Sequence, residues 1–168
     1  TVVVVDGRIA AVGPSSDVKV PGHAVRIEAR GRYLLPALAD MHVHVEGESW
    51  NALLSPEAKA ASKPAPFEDF LFPYVANGVT TVQVLSGTQE LLPVRGRIAQ
   101  GQLLAPRLIL ARMIDGPDKA WPPPLATWVS TAEEARNATL KAKADGYDKM
   151  KVYSFLTKET YDAVIATA

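Results

Sequence analysis

The sequence has no cysteine among its 168 residues. This absence excludes disulfides, thiolate zinc sites, iron–sulfur clusters and a cysteine nucleophile, and it leaves the compartment open, with the cytosol as the default expectation. An excess of one charge is missing as well, because 18 basic residues balance 18 acidic ones. The composition therefore gives no general reason to expect binding to nucleic acid or to an anionic membrane.

Long apolar runs and an initiator methionine are also absent. No stretch of about 18 uninterrupted apolar residues exists, so the sequence predicts no membrane-spanning helix. The chain begins inside an apolar run, residues 1–5, and ends inside a helical pattern, residues 161–168. We therefore expect this sequence to be a piece of a longer protein. Its 48% hydrophobic and 21% charged content is that of an ordinary globular protein.

The first 35 residues have the patterns of short strands. Residues 1–5 and 8–12 flank Asp6-Gly7 and predict a β-hairpin. Residues 24–29 alternate apolar and polar side chains, which predicts a third, half-buried strand. Residues 1–35 are thus expected to form a small all-β unit.

Strands and helices alternate after residue 36. The predicted strands are 38–45, 79–85, 107–112 and 149–153; the predicted helices are 67–77, 91–100, 131–145 and 158–168; and the predicted long loops are 46–66, with a short helix, and 113–128. This alternation favours an α/β fold in which parallel strands are adjacent in chain order and covered by helices. Four such units form either half of an eight-fold barrel or a small doubly wound sheet.

Two histidines lie two positions apart at the end of the first strand of this series. Residues at that spacing on a strand point to the same side, so His42 and His44 aim two imidazoles in one direction, as metal chelation requires. The alternative is a pair of solvated histidines at a strand end. The same rule places Lys149, Lys151 and Tyr153 on one side of the last strand.

A family resemblance supports the metal interpretation. The run LPALADMHVH at residues 35–44 resembles the Pro-Gly-(Leu/Phe)-(Ile/Val)-Asp-x-His-x-His signature of the amidohydrolase superfamily. Similar segments follow in order: NGVTTV at 77–82, APR at 105–107 and GYDKMKVY at 146–153. The set is most similar to imidazolonepropionase-like and Xaa-Pro-dipeptidase-like amidohydrolases, and it covers nearly the whole chain.

The resemblance implies a fold and a chemistry. Residues 36–168 would form the first half of a (β/α)8 TIM barrel, and residues 1–35 would be part of a small β-sandwich domain. The activity implied is metal-dependent hydrolysis of an amide- or peptide-type C–N bond by activated water, on a small molecule or short peptide. His42 and His44 match metal ligands for one or two divalent ions, expected to be zinc. Lys151 matches a lysine that carries a CO2-derived carbamate and bridges two metals; its alternative is an ordinary ion-paired lysine.

Further residues have weaker claims on the site. We expect Asp40 to accept a hydrogen bond from a ligand histidine. Tyr153, Trp121 and Trp128 are candidates to line a substrate pocket, although such aromatics often serve packing alone. His23, the remaining histidine, is expected at the surface.

The chain also departs from the family pattern. Ala37 replaces a glycine, and Gln83 and Val84 replace an Arg and an Asp that relatives often have. The histidines of strands five and six and the catalytic aspartate of strand eight would lie beyond Ala168, so no catalytic base is expected in this chain. We expect the isolated chain to be inactive, to hold metal weakly, and to aggregate or form a homo-oligomer through its open sheet edges. Two alternatives remain: a truncated non-catalytic domain, and an ester, lactone or phosphotriester hydrolase on the same scaffold.

Overall fold

The structure, a computed structural model, describes residues 1–45, 47–63, 65–117 and 121–168. The chain divides into two units, Thr1–Leu35 and Pro36–Ala168. All predicted metal and substrate residues belong to the second unit.

The first unit contains the predicted hairpin. Strands β1 (Val2–Val5) and β2 (Arg8–Val12) pair antiparallel, and Asp6 turns the chain with a φ of 49°. The strand predicted over residues 24–29 is wrong, because that segment is unpaired and its Val25 is 93% exposed. A strand needs a neighbour for its backbone hydrogen bonds, and alternation along the sequence does not supply one. The β-sandwich stays a prediction.

The second unit consists of alternating strands and helices. Its strands are β3 (Leu38–Val43), β4 (Val79–Val84), β5 (Arg107–Asp115), β6 (Ala126–Trp128) and β7 (Lys149–Val152), and its helices are a 3-10 helix (Glu48–Leu53), α1 (Pro56–Ala61), α2 (Phe67–Ala76), α3 (Leu91–Ala99), α4 (Ala132–Asp145) and α5 (Lys158–Thr167). The four long predicted helices are confirmed. The 3-10 helix and α1 lie in the predicted loop 46–66, of which Glu46 and Pro64 lie outside the described residues.

The sheet is parallel and follows chain order. β3 pairs with β4, β4 with β5, and β5 with β7, as the sequence predicts. The α/β class with a parallel sheet is therefore confirmed, while the complete barrel stays a prediction.

The predicted loop 113–128 is partly wrong. Strand β5 continues to Asp115, and β6 pairs with it in parallel through Met113–Ala126 and Asp115–Trp128. Met113 and Asp115 are buried, so contact with neighbouring layers extends the strand past the point that local sequence indicates. Residues 118–120 of that loop lie outside the described residues.

Helix α4 shows how local sequence sets its own boundaries. The Thr131 hydroxyl accepts the Glu134 amide, and the Glu134 carboxylate accepts the Thr131 amide, which completes the predicted capping box. Gly146 ends the helix with a φ of 97°, a conformation that favours glycine.

Helices cover the sheet and complete its core. Leu71 of α2 and Leu91 of α3 pack with β4 and β5 residues, including Val84 and Leu110. A second cluster joins Ile114 to the residues of α4 and α5. In the described part of the chain, no helix has the length and apolar character needed to cross a membrane. Because the strands are parallel, their C-terminal ends meet at one edge, and the predicted site lies there.

Candidate functional site

The two predicted histidine ligands lie side by side at the C-terminal end of β3. The ring centroids of His42 and His44 are 5.4 Å apart, with the ring planes at 62°. Both side chains remain open to solvent. The first strand thus presents two imidazoles to the same edge of the sheet.

Ser86 orients one of these rings. Its hydroxyl oxygen lies 2.7 Å from His44 Nδ1, and the serine is buried directly after β4. If Nδ1 carries the proton and donates it to this hydroxyl, the lone pair of Nε2 is free for a metal. Ser86 was not among the predicted site residues; its position one residue beyond the predicted strand 79–85 was the available signal.

The surroundings of His44 favour its neutral form. Partial burial lowers the pKa of His44, and the nearby positive charges of His42 and Lys151 lower it further. A neutral imidazole is the form that binds a metal ion. Lys151 belongs to β7, whose carboxyl end lies at the same edge of the parallel sheet as that of β3.

Lys151 and Lys149 have different surroundings. Lys151 is half-buried, and its Nζ lies 5.8 Å from the centroid of the Tyr153 ring. Lys149 is exposed and its Nζ donates to Gln83 Oε1 at 2.5 Å, while Gln83 Nε2 donates to the Met41 carbonyl at 3.3 Å. Gln83 therefore links β3, β4 and β7 at the position where relatives often have an arginine.

Asp40 makes a backbone contact. Its Oδ1 accepts the amide of His42 at 3.1 Å and so constrains the backbone of the histidine pair. A hydrogen bond from an imidazole to Asp40 stays a prediction.

The predicted metal site is incomplete within this chain. Among the described residues, no three His, Cys, Asp or Glu side chains are grouped so that they could hold an ion. A catalytic zinc uses roughly three protein ligands, so metal binding by His42 and His44 stays a prediction. Neutral nitrogen donors of this kind suit zinc, and an anionic group on Lys151 would provide a third ligand.

Two acidic residues that the sequence did not single out organise the strand ends. Asp115, at the end of β5, is fully buried and its Oδ1 accepts the amides of Gly116 at 2.9 Å and Phe155 at 2.8 Å. Glu90 accepts the amides of Glu48 at 2.9 Å and Ser49 at 2.7 Å, and it also accepts the Ser49 hydroxyl. These contacts join loops that follow different strands, so sequence spacing alone could not reveal them.

A parallel α/β sheet with two histidines and a lysine at its carboxyl edge is the class of structure that the fold and site define. Comparisons with known proteins identify sequences and structures similar to this chain. Adenine deaminase from Paracoccus denitrificans is 47% identical over 62 residues, which cover 36% of this chain and 10% of that protein. Enamidase from Eubacterium barkeri is 36% identical over 101 residues, 60% of this chain and 23% of that protein. No protein-family model matches the chain.

The fold comparison covers more of the chain. A crystal structure of a prolidase complexed with N-methylphosphonate-L-proline matches 99% of this chain and 48% of its own, with a TM-score of 0.75 at 19% identity. The chain thus spans about half the length of this solved relative, and its matches span a quarter or less of the two curated relatives. Together the comparisons confirm the resemblance of this chain to the amidohydrolase superfamily.

Proposed function

We propose that this chain is part of a metal-dependent hydrolase that cleaves an amide- or peptide-type C–N bond by attack of water. The observation that carries the proposal is the pairing of His42 and His44 at the carboxyl end of β3, with Lys151 on β7 of the same sheet. The relatives named deaminase, enamidase and prolidase are enzymes of C–N bonds, and this supports the reaction class. The substrate class is a small molecule or short peptide.

The metal ligands follow from the same residues. Members of the amidohydrolase superfamily are metal-dependent, and His42 and His44 would hold one of one or two divalent ions, expected to be zinc. Such an ion, when bound, polarises the scissile carbonyl and activates water. The neutral amine of Lys151 would attack CO2 and release a proton, leaving an anionic carbamate that would help to hold one or both ions. Lys151 is half-buried and lies on β7 at the same edge of the sheet.

The other residues of the edge hold this arrangement. Ser86 fixes the ring of His44 through Nδ1, and Asp40 constrains the backbone at His42. Tyr153 is proposed to contact the substrate, since it lies next to Lys151 on the same edge.

The remaining ligands and the proton-transferring carboxylate are assigned to the part of the barrel that the relatives have and this chain does not cover. In this proposal residues 36–168 form the first half of a (β/α)8 barrel and residues 1–35 part of a β-sandwich domain. The chain by itself would bind metal weakly and turn over essentially no substrate.

The test is metal analysis together with turnover of a panel of amides and dipeptides by the whole protein. His42→Ala and His44→Ala should each lower zinc content and activity together, by about 10–100-fold or more. Removing only the hydrogen-bond partner of a metal ligand already has an effect of that size, and these variants remove the ligand itself. Lys151→Ala should also lose activity, and short carboxylic acids should restore part of it by replacing the carbamate.

The matched control is His23→Ala. His23 is exposed and lies in the first unit, so its replacement should leave zinc content and turnover unchanged. Unchanged zinc content in the double variant His42→Ala/His44→Ala, or full activity of Lys151→Ala, would overturn the site assignment.

A further inference from the structure

All three tryptophans of the chain lie in one cluster at the carboxyl edge of the sheet. Trp50, Trp121 and Trp128 pack with Tyr153 against the buried residues Met113, Leu125 and Ala126. We call Trp50, Trp121 and Tyr153 the aromatic wall. Neither the metal ligands nor the water-attack chemistry requires such a concentration of rings.

The aromatic wall runs from one predicted metal ligand to another. Trp50 lies 5.6 Å from the ring of His44, Trp121 lies 5.7 Å from Trp50, and Tyr153 lies 6.4 Å from Trp121, each pair meeting edge to face. The Tyr153 ring in turn lies 5.8 Å from Lys151 Nζ. The wall therefore borders the position where the proposed reaction would occur.

Separate backbone contacts fix each member of the aromatic wall. Trp50 belongs to the 3-10 helix whose first amides are accepted by Glu90, and its indole nitrogen has no acceptor among the described residues. The carbonyl of Trp121 accepts the indole N–H of Trp128 at 2.8 Å. The amide of Tyr153 donates to the Ile114 carbonyl at 3.0 Å. The backbone at each ring is thus held by hydrogen bonds within the described chain.

The rings of the aromatic wall are only partly buried. Trp50, Trp121 and Tyr153 each retain intermediate exposure, whereas the aliphatic residues beneath them are buried. Partly exposed rings offer surfaces on which a further planar ring can stack or meet edge to face.

We infer that the aromatic wall binds a planar aromatic ring carried next to the scissile bond, and that it selects aromatic over aliphatic substrates. This inference rests on the proposed function for the identity of the bond. The recognition of the ring itself depends on the wall alone.

The position of the tryptophans makes the inference directly measurable. Because every tryptophan of the chain is in the cluster, intrinsic tryptophan fluorescence reports on it alone. N-acetylphenylalanine amide and N-acetylcyclohexylalanine amide would be titrated into the full chain, with and without zinc. The two ligands have side chains of similar size, but only the first has an aromatic ring. We expect saturable fluorescence changes and a Kd about two- to tenfold lower for the phenyl ligand, the usual worth of an aromatic pair.

Variants separate stacking from general packing. Trp50→Leu should bring the ratio of the two Kd values to about one, and Trp50→Phe, which keeps a ring, should retain a preference for the phenyl ligand. Phe72→Leu is the control, because Phe72 is an exposed aromatic of α2 outside the cluster. No saturable change, equal Kd values in the unaltered chain, or an unchanged ratio in a folded Trp50→Leu would overturn the inference.

The outcomes also separate this inference from the proposed function. Ring preference of the chain, together with a whole protein that takes up no zinc and hydrolyses no amide, would overturn the proposed function alone. Zinc-dependent amide hydrolysis by the whole protein, together with no ring preference of the chain, would overturn the aromatic wall alone.

Discussion

Ile9 in the hairpin of Thr1–Leu35 is 66% exposed, whereas Leu110 and Ile114 in the sheet of Pro36–Ala168 are fully buried. All three are large apolar residues in strands. The sheet is covered by helices that bring Leu71 and other side chains against it, while the hairpin consists of two strands. A two-stranded hairpin has too little partner surface for independent stability. A sequence that forms a strand is therefore not necessarily buried. The hairpin forms strands without burying them, whereas the sheet is buried because helices cover it.

The largest expected difference in the free energy of unfolding comes from replacing one leucine in each unit by alanine. Leu110→Ala should lower the free energy of unfolding of the sheet unit by about 2–5 kcal/mol, because it leaves a cavity in the core. Leu34→Ala, at a side chain that is 76% exposed, should change it by less than about 0.5 kcal/mol. Urea denaturation followed by tryptophan fluorescence measures the sheet unit, since all three tryptophans lie in it. Equal losses for the two variants would contradict the comparison.

Replacing one carboxylate in each unit should give a smaller difference in the free energy of unfolding. Asp115→Ala leaves the amides of Gly116 and Phe155 without their acceptor in a buried site, so we expect a loss of about 1–3 kcal/mol in the free energy of unfolding. Asp115→Asn keeps one oxygen and should lose less. Glu28→Ala removes an exposed carboxylate that accepts the Arg30 amide at 2.9 Å, and water replaces it. Its loss should lie within experimental error in the same denaturation assay.

The smallest effect concerns exposed ion pairs, for which the two units should behave alike. In α4, the hydrogen bond from Lys141 holds the pKa of Asp145 below its ordinary value of 3.8. A lowered pKa in the folded chain means that this contribution is present above pH 3.8 and is lost as the pH falls further. Lys141→Gln should raise the pKa of Asp145, measured by NMR titration of its carboxyl carbon.

The control for this titration is Lys143→Gln, which removes a nearby charge of the same helix that makes no bond to Asp145. It should leave the pKa of Asp145 almost unchanged. High salt should weaken the Lys141 effect and the exposed Arg30–Glu28 pair of the first unit in the same way. A salt-resistant effect in α4 would show that burial matters there too.

Local chemistry made much of the fold predictable. The capping box at Thr131 and the left-handed Gly146 set the two ends of α4, and both signals can be read from the residues at those ends. Alternation of strand and helix predicted the parallel order of the sheet, because right-handed connections leave few other arrangements. The strand over residues 24–29 failed for the opposite reason, since pairing requires a partner that local sequence does not specify.

The candidate site was likewise predictable from the sequence only in part. Parity on a strand was enough to direct His42 and His44 to one side, and the resemblance of the segment GYDKMKVY at 146–153 was enough to single out Lys151 as a candidate. Only the tertiary structure brought Ser86 to His44, Glu90 to the 3-10 helix and Trp50 to the other rings of the aromatic wall. These contacts join segments that are far apart in the sequence; His44 and Ser86, for example, are 42 residues apart. The sequence by itself thus determined which donor atoms this protein carries and on which elements they lie. Packing of the parallel sheet decided which other side chains surround them, because the carboxyl ends of distant strands become neighbours only when the sheet forms.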